Sequence, residues 1–140
     1  MKRFGFLLAV LLLASVLGLV ACGSGASPIE DTTWVLESYG EPGMMKLPLP
    51  NIQITVYFDS ATEELTGDAG CNTYSGGYQL NDNQISFPGG LAITEMWCGG
   101  EVAQQEAEYM QMFTAADSFE VNNGNLQLNC DGKLIIYNKK

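Results

Sequence analysis

The chain has 140 residues, with 16 acids against six bases, a formal net charge of −10 and no histidine. Acidity on this scale repels phosphate and argues against nucleic-acid binding. The lack of histidine excludes Ser-His and Cys-His nucleophile pairs and every imidazole metal site.

The chain opens Met1-Lys2-Arg3 and then runs from Phe4 to Val20 without a charge. A basic tip ahead of an apolar run reads as an export signal. Leu19-Val20-Ala21-Cys22 follows and is similar to the lipobox of a bacterial lipoprotein, in which small residues precede the cysteine that takes the lipid. The alternative is an uncleaved membrane anchor. The lipobox reading gives a signal peptide over 1–21 and a mature chain of 119 residues, enough for a single core. Four bases then remain (Lys46, Lys133, Lys139, Lys140) against 16 acids, which disfavours lying flat on anionic lipid. Residues 22–31 are expected to be the lipidated N-terminus and a flexible linker, rich in Gly and Ser. No aspartate follows Cys22, which leaves outer-membrane sorting open if the cell has two membranes.

The folded domain is expected over 32–138. Trp34 to Tyr39 is rich in strand formers. The segment from Gly40 to Asn51 reads as a long loop, because three prolines bar a regular helix or a central strand. It carries Met44, Met45, Leu47 and Leu49, a candidate contact surface for an envelope protein or nearby lipid if it does not pack over the sheet. Ile52 to Asp59 alternates apolar and polar residues, as in a half-buried strand. Short strands are expected near Glu64 to Gly67, at Tyr78 to Leu80 and Gln84 to Phe87 around an Asn81-Asp82-Asn83 turn, and at Leu91 to Glu95. Glu101 to Ala116 lacks Gly and Pro and predicts a helix whose buried face holds Val102, Tyr109, Met110 and Phe113, with Ala103 and Ala107 beside them. Strands around Phe119 to Val121, Leu126 to Cys130 and Lys133 to Tyr137 are joined by turns at Asn123-Gly124 and Asp131-Gly132. The sum is an α+β class, an antiparallel β-rich domain with one α-helix.

"GDAGCNTYSGGY", residues 67–78, is the most unusual stretch. Its glycines permit a bulge or a close backbone approach, and Asn72 suits a tight bend. Glycine beside tyrosine also suits a ligand-contacting loop. None of Cys71, Cys98 and Cys130 belongs to a C-x-x-C pair, and no G-K-[ST] follows the glycines. The 16 acids permit a carboxylate pair in principle, but no spacing brings two together. The chain is therefore expected not to be an enzyme, with no cofactor and no metal.

Gly70-Cys71-Asn72, Tyr74, Gly76 and Tyr78 resemble the G-C-N-x-[YF]-x-G signature of the META/HslJ-like domain family, and Thr94-x-Met96-x-Cys98 resembles its second block. Trp34-x-Leu36, Glu106, Tyr109 and Leu126-x-Leu128 fall where the family has similar residues, so the resemblance spans residues 32–138. Cys98-Gly99-Gly100 and Cys130 depart from the family pattern. The resemblance implies a META-type fold and a small, non-enzymatic, often lipid-anchored envelope protein. It also implies association with heat shock, novobiocin resistance and, in some members, secretion and motility. Gly70, Asn72, Tyr74, Gly76, Thr94 and Met96 are then structural motif residues. Cys71 and Cys98 lie in the two blocks and become the disulfide candidate, in a compartment where disulfides persist. Cys130 reads as a buried thiol beside Leu126 and Leu128; the alternative is that all three thiols are reduced. A second reading, drawn from the acidity, is an inhibitor or binder of a cationic envelope protein such as a lysozyme-type hydrolase.

Mass spectrometry of membrane-extracted protein is expected to find acylated Cys22 at the mature N-terminus. Cys22→Ser is expected to abolish both processing and membrane attachment; an intact Met1 terminus contradicts the lipobox reading.

Overall fold

A computed structural model describes residues 25–140. Cys22 and the signal peptide expected over 1–21 lie outside the described residues. No helix among the described residues is long and apolar enough to cross a membrane.

The chain order is β1 (Thr33–Glu41), β2 (Met44–Lys46), β3 (Thr55–Asp59), β4 (Glu64–Asp68), β5 (Thr73–Gly77), β6 (Gln79–Asn81), β7 (Gln84–Ser86), β8 (Ala92–Ile93), α1 (Gly100–Phe113), β9 (Ala116–Asn122), β10 (Asn125–Cys130) and β11 (Lys133–Lys139). The strands form one antiparallel sheet in the order β6-β7-β9-β10-β11-β1-β3-β4-β5-β8, with β2 paired to β1. The sheet curls into a half-barrel around α1. Its two ends are joined by the chain itself. β5 pairs with β4, a single residue, Tyr78, follows, and β6 then pairs with β7.

Local chemistry explains most of these elements. Both Asn123-Gly124 and Asp131-Gly132 adopt positive φ (52° and 84°, 51° and 82°), the geometry that matches a two-residue turn to strand twist. In β10, Leu126, Leu128 and Cys130 are buried and the residues between them only partly so. In β1 the register slips between Leu36 and Ser38. That bulge changes the phase of the alternation, so Trp34, Leu36 and Tyr39 all reach the core. The helix buries Gln105, Tyr109, Met112 and Phe113, spaced i, i+4, i+7 and i+8 along one face. Phe113 stacks on Phe87 (ring centroids 5.2 Å apart) and meets the edge of Tyr74 (5.2 Å).

Five expectations need correction. The linker does not extend through residue 31: Ile29 is fully buried, and its carbonyl accepts the Trp34 Nε1–H at 2.8 Å. Glu30 accepts a 2.6 Å bond from the Tyr78 hydroxyl, and the Asp31 N–H donates to the Phe58 carbonyl. The segment from Gly40 to Asn51 is not all loop. Met44–Lys46 pairs with the end of β1 across a Pro42-Gly43 turn, and the remaining two prolines fall after that strand. The third strand begins at Thr55, not Ile52, because Asn51 sits at φ 64° and the chain straightens only beyond it. The helix ends at Phe113, where Thr114 caps the Met110 carbonyl, and Ala116 already belongs to β9. The helix face is also rotated from the expected one: Ala107 is exposed, Val102 is half-buried, and Gln105 and Met112 take their place.

Gly67 is set by close approach. A Cβ there would run into the Tyr74 ring and the Thr55 carbonyl, and the backbone side of that clash cannot swing away. Gly67→Ala is expected to destabilise the domain by about 1–3 kcal/mol, as overpacking does. Urea unfolding of the purified domain measures this; an unchanged midpoint contradicts the packing described.

Candidate functional site

The two motif blocks converge at the end of the half-barrel where β4 passes into β5. Asp68 accepts the Gly70 N–H (2.7 Å), and the Ala69 N–H donates to the Asn72 carbonyl (2.8 Å), which folds residues 68–72 into a tight bend. This presents Asn72, only 4% exposed, to three other segments. Its Nδ2 donates to Glu106 Oε1 (2.7 Å) and to the Met96 carbonyl (3.2 Å). Its Oδ1 accepts from the Thr94 hydroxyl (2.8 Å) and the Met96 N–H (2.7 Å). Its own N–H donates to Glu106 Oε2 (2.6 Å). The Glu106 carboxylate thus binds the side chain and the backbone of Asn72 together, and a charged acceptor makes both bonds strong.

The β8–α1 connection is fixed twice more. The Thr94 N–H donates to the Thr73 carbonyl (3.1 Å), and the Thr94 Oγ1 accepts the Thr73 N–H (3.2 Å). Cys71 and Cys98 form a disulfide, with Cα atoms 5.9 Å apart and a sequence separation of 27. Closing a loop of that length stabilises by about 3–4 kcal/mol in the chain-entropy view.

What this clamp holds outward is apolar. Met96 is 61% exposed and Trp97 is 84% exposed. Ile93, at the base of the same loop, is 39% exposed. Glu95 and Glu101 are exposed on either side. Across the first turns of α1 lies the candidate contact segment. Its Met44 and Leu47 are exposed and its Met45 and Leu49 half-buried. Gln105 Oε1 accepts the Leu49 N–H (2.6 Å), and Lys46 pairs with Glu108 (2.7 Å). Adjacent helix residues, Gln105 and Glu106, therefore tie the two exposed apolar segments to the same turn of one helix.

The remaining motif residues serve the interior. Gly76 packs against Leu91 and the Gly90 carbonyl, leaving no room for a Cβ. Gly70 has φ 104° and lies against Ile52. Tyr74 and Tyr78 are both buried, on either side of Gly76-Gly77. The Tyr74 hydroxyl bonds the Thr55 carbonyl (2.9 Å) and the Tyr109 hydroxyl (2.7 Å), which in turn bonds Tyr137 (2.8 Å). Three phenols thus connect β5, α1 and β11 through the core. Among the described residues, no group of three His, Cys, Asp or Glu side chains has metal-binding geometry.

Sequence reasoning missed the contact between Asn72 and Glu106, 34 residues apart. It also missed the exposure of Trp97, which a tryptophan next to a motif cysteine does not signal.

Burial holds the hydroxyls of Tyr74, Tyr109 and Tyr137 well above the ordinary tyrosine value of 10.0, because the charged phenolate is poorly solvated there. Burial, with Asp117 nearby, pushes the Cys130 thiol up from 9.0 to about 12.

The META domain family matches residues 27–140. An NMR structure of a protein from Burkholderia xenovorans is similar, with TM-score 0.67 and 28% identity over 80% of this chain and 83% of that one. A crystal structure of a DUF4847 family protein from Bacteroides vulgatus shares the fold, with TM-score 0.56 and 15% identity over 79% and 94% of the two chains. No protein of curated function matches.

The buried hydroxyls and thiol predict an alkaline limit to stability. The folded state keeps protons that the unfolded chain releases, so stability is intact below pH 9. It falls as pH rises past 9 for Cys130, a loss complete near 12, and past 10 for the three tyrosines. Each group steepens the fall by up to ~1.4 kcal/mol per pH unit. Urea unfolding between pH 8 and 11 is expected to show this slope, and Tyr109→Phe to lessen it. A flat profile contradicts it.

Proposed function

The chain belongs to the META domain family, and from that premise we propose that it is a non-enzymatic, lipid-anchored protein of the cell envelope that serves stress tolerance. The observation that carries this reading is the saturation of Asn72. Every polar atom of its side chain is bound to Thr94, Met96 or Glu106, and its neighbour Cys71 is held in a disulfide. A catalytic asparagine needs a donor or acceptor left free for substrate, whereas this one joins three segments of its own chain. The motif works as a clamp. The heat-shock and novobiocin associations implied by the resemblance supply the kind of stress. Anchoring at Cys22 supplies the place, the outer membrane where a cell has two.

A second reading is favoured by the charge distribution. Between Leu47 and Gly132 there are twelve acids and no lysine or arginine. A surface built from that stretch suits a cationic envelope protein, such as a lysozyme-type hydrolase. In this reading Met44 and Leu47 add apolar contact to an electrostatic capture.

Complementation of a deletion strain under heat or novobiocin separates a clamp from a catalyst. Asn72→Ala leaves Glu106 Oε1 and the Met96 N–H without their side-chain partner, keeps the backbone bond to Glu106 Oε2, and is expected to cost about 1–3 kcal/mol of stability. It is expected to rescue growth in proportion to the fraction folded at the assay temperature. A folded Asn72→Ala protein without rescue assigns chemistry to the motif and overturns the proposal. A deletion strain insensitive to both stresses overturns the stress role.

A further inference from the structure

Trp97 is the most exposed of the large apolar side chains among the described residues. An exposed tryptophan on a mobile loop would carry little meaning. This one sits on a loop that Thr94, Met96 and Cys98 tie down, one residue before and one after it included. Preorganisation of this kind lowers the entropy lost on binding. Tryptophan and methionine are also residues enriched where a surface docks into a partner's pocket.

We infer that the Met96–Trp97 tip, with Ile93 at its base, is a docking knob for an apolar pocket in a basic protein, presented at the end of the half-barrel opposite the one where the N-terminal segment enters. This rests on the cationic-partner reading and locates its surface.

Three observations select that occupant. The first is charge. Glu95 and Glu101 flank the tip, Asp68 and Glu106 lie behind it, and no base occurs anywhere from Leu47 to Gly132. A partner with a positive rim gains both steering and register from these acids. A second copy of the same acidic surface is repelled.

The second is position along the fold. The Asp31 N–H reaches the Phe58 carbonyl, and its carboxylate bonds Ser60, so the N-terminal segment enters at the Asp59 end of β3. The tip leaves from the other end, where Thr55 pairs with Asp68, Asp68 with Thr73, and Thr73 bonds Thr94. The length of β3 separates the two ends, about 14 Å of strand. The described chain therefore enters the domain at the end opposite Trp97.

The third is the composite surface. Exposed Leu47 and Met44 belong to the segment that Gln105 holds, one helix residue from the Glu106 that holds Asn72, so the same turn of α1 carries a second exposed apolar segment.

The experiment uses the full-length lipoprotein in its own envelope. A photoreactive residue replaces Glu95, beside the tip, or Asn123, on the β9–β10 turn at the end where the N-terminal segment enters. The expected result is a discrete adduct from position 95 to a protein that mass spectrometry identifies as basic, without the same adduct from position 123. Trp97→Ala is expected to reduce that adduct on the order of tenfold or more, and raised salt before irradiation to weaken it. The purified Trp97→Ala protein is expected to keep the wild-type melting temperature, since Trp97 is 84% exposed. An adduct that survives Trp97→Ala overturns the knob. An adduct from position 95 to lipid, to an acidic protein or to a second copy overturns the assigned partner. Basic adducts from position 123 alone leave the cationic-partner reading standing and remove this surface from it. No basic adduct from either position removes both.

Discussion

The carboxylate of Glu106 against Asn72 is the contact on which the arrangement of this domain turns. It is charge-assisted, partly shielded from water, and made to both the backbone and the side chain of one residue. Through it the helix is fixed to the β4–β5 bend, and through Asn72 the β8–α1 connection is fixed to both. The helix has no side-chain cap at its N-terminus, where Gly99 lies at φ 88°. Its orientation is set instead by Gln105 and Glu106 reaching sideways, and by Tyr109 reaching down into the core. Hydrogen bonds to a partly buried, charged acceptor are worth more than those on the open surface, and they are costly to leave half-made. The site is therefore rigid where it touches the sheet and exposed only at its tip.

The core explains why a sheet of this size needs one helix. A curled sheet leaves an open concave side, and α1 fills it with Tyr109, Met112 and Phe113. The tyrosine hydroxyls would be a liability there if left alone. Each is satisfied by the next, and Tyr74 ends on the Thr55 carbonyl. That chain in turn dictates Gly67, since the Tyr74 ring crosses the place where any side chain on that strand residue would stand. One glycine of the 67–78 stretch thus follows from a phenol on the neighbouring strand.

Features governed by neighbours in sequence were legible. The Asn-Gly and Asp-Gly turns, the alternation of β10 and the existence of α1 all follow from local chemistry. Features governed by distant partners were not. β2 hides inside a Pro/Gly segment because its identity as a strand comes from β1, and only the absence of proline within Met44–Lys46 hints at it. Ile29 reads as linker until the Trp34 indole claims its carbonyl. The helix face was misjudged at Gln105, because hydrophobic periodicity ignores a glutamine that is buried for its hydrogen bond to Leu49. At the site, the motif residues could be named from the sequence, but the one fact that gives them meaning, which atoms of Asn72 are left free, belongs to the folded chain.

The place of β1 in the sheet has a consequence for how the chain reaches its native state. The first strand of the domain lies between β3 and the last strand, β11, and its pairing with β11 runs from Trp34 to Gly40. The central seam therefore cannot close until the C-terminal residues are present. Contacts between chain ends make folding slow relative to helical domains of similar size. For a chain emerging N-terminus first, one edge of β1 waits unpaired while everything between it and Lys133 is made, and only the arrival of β11 closes the seam.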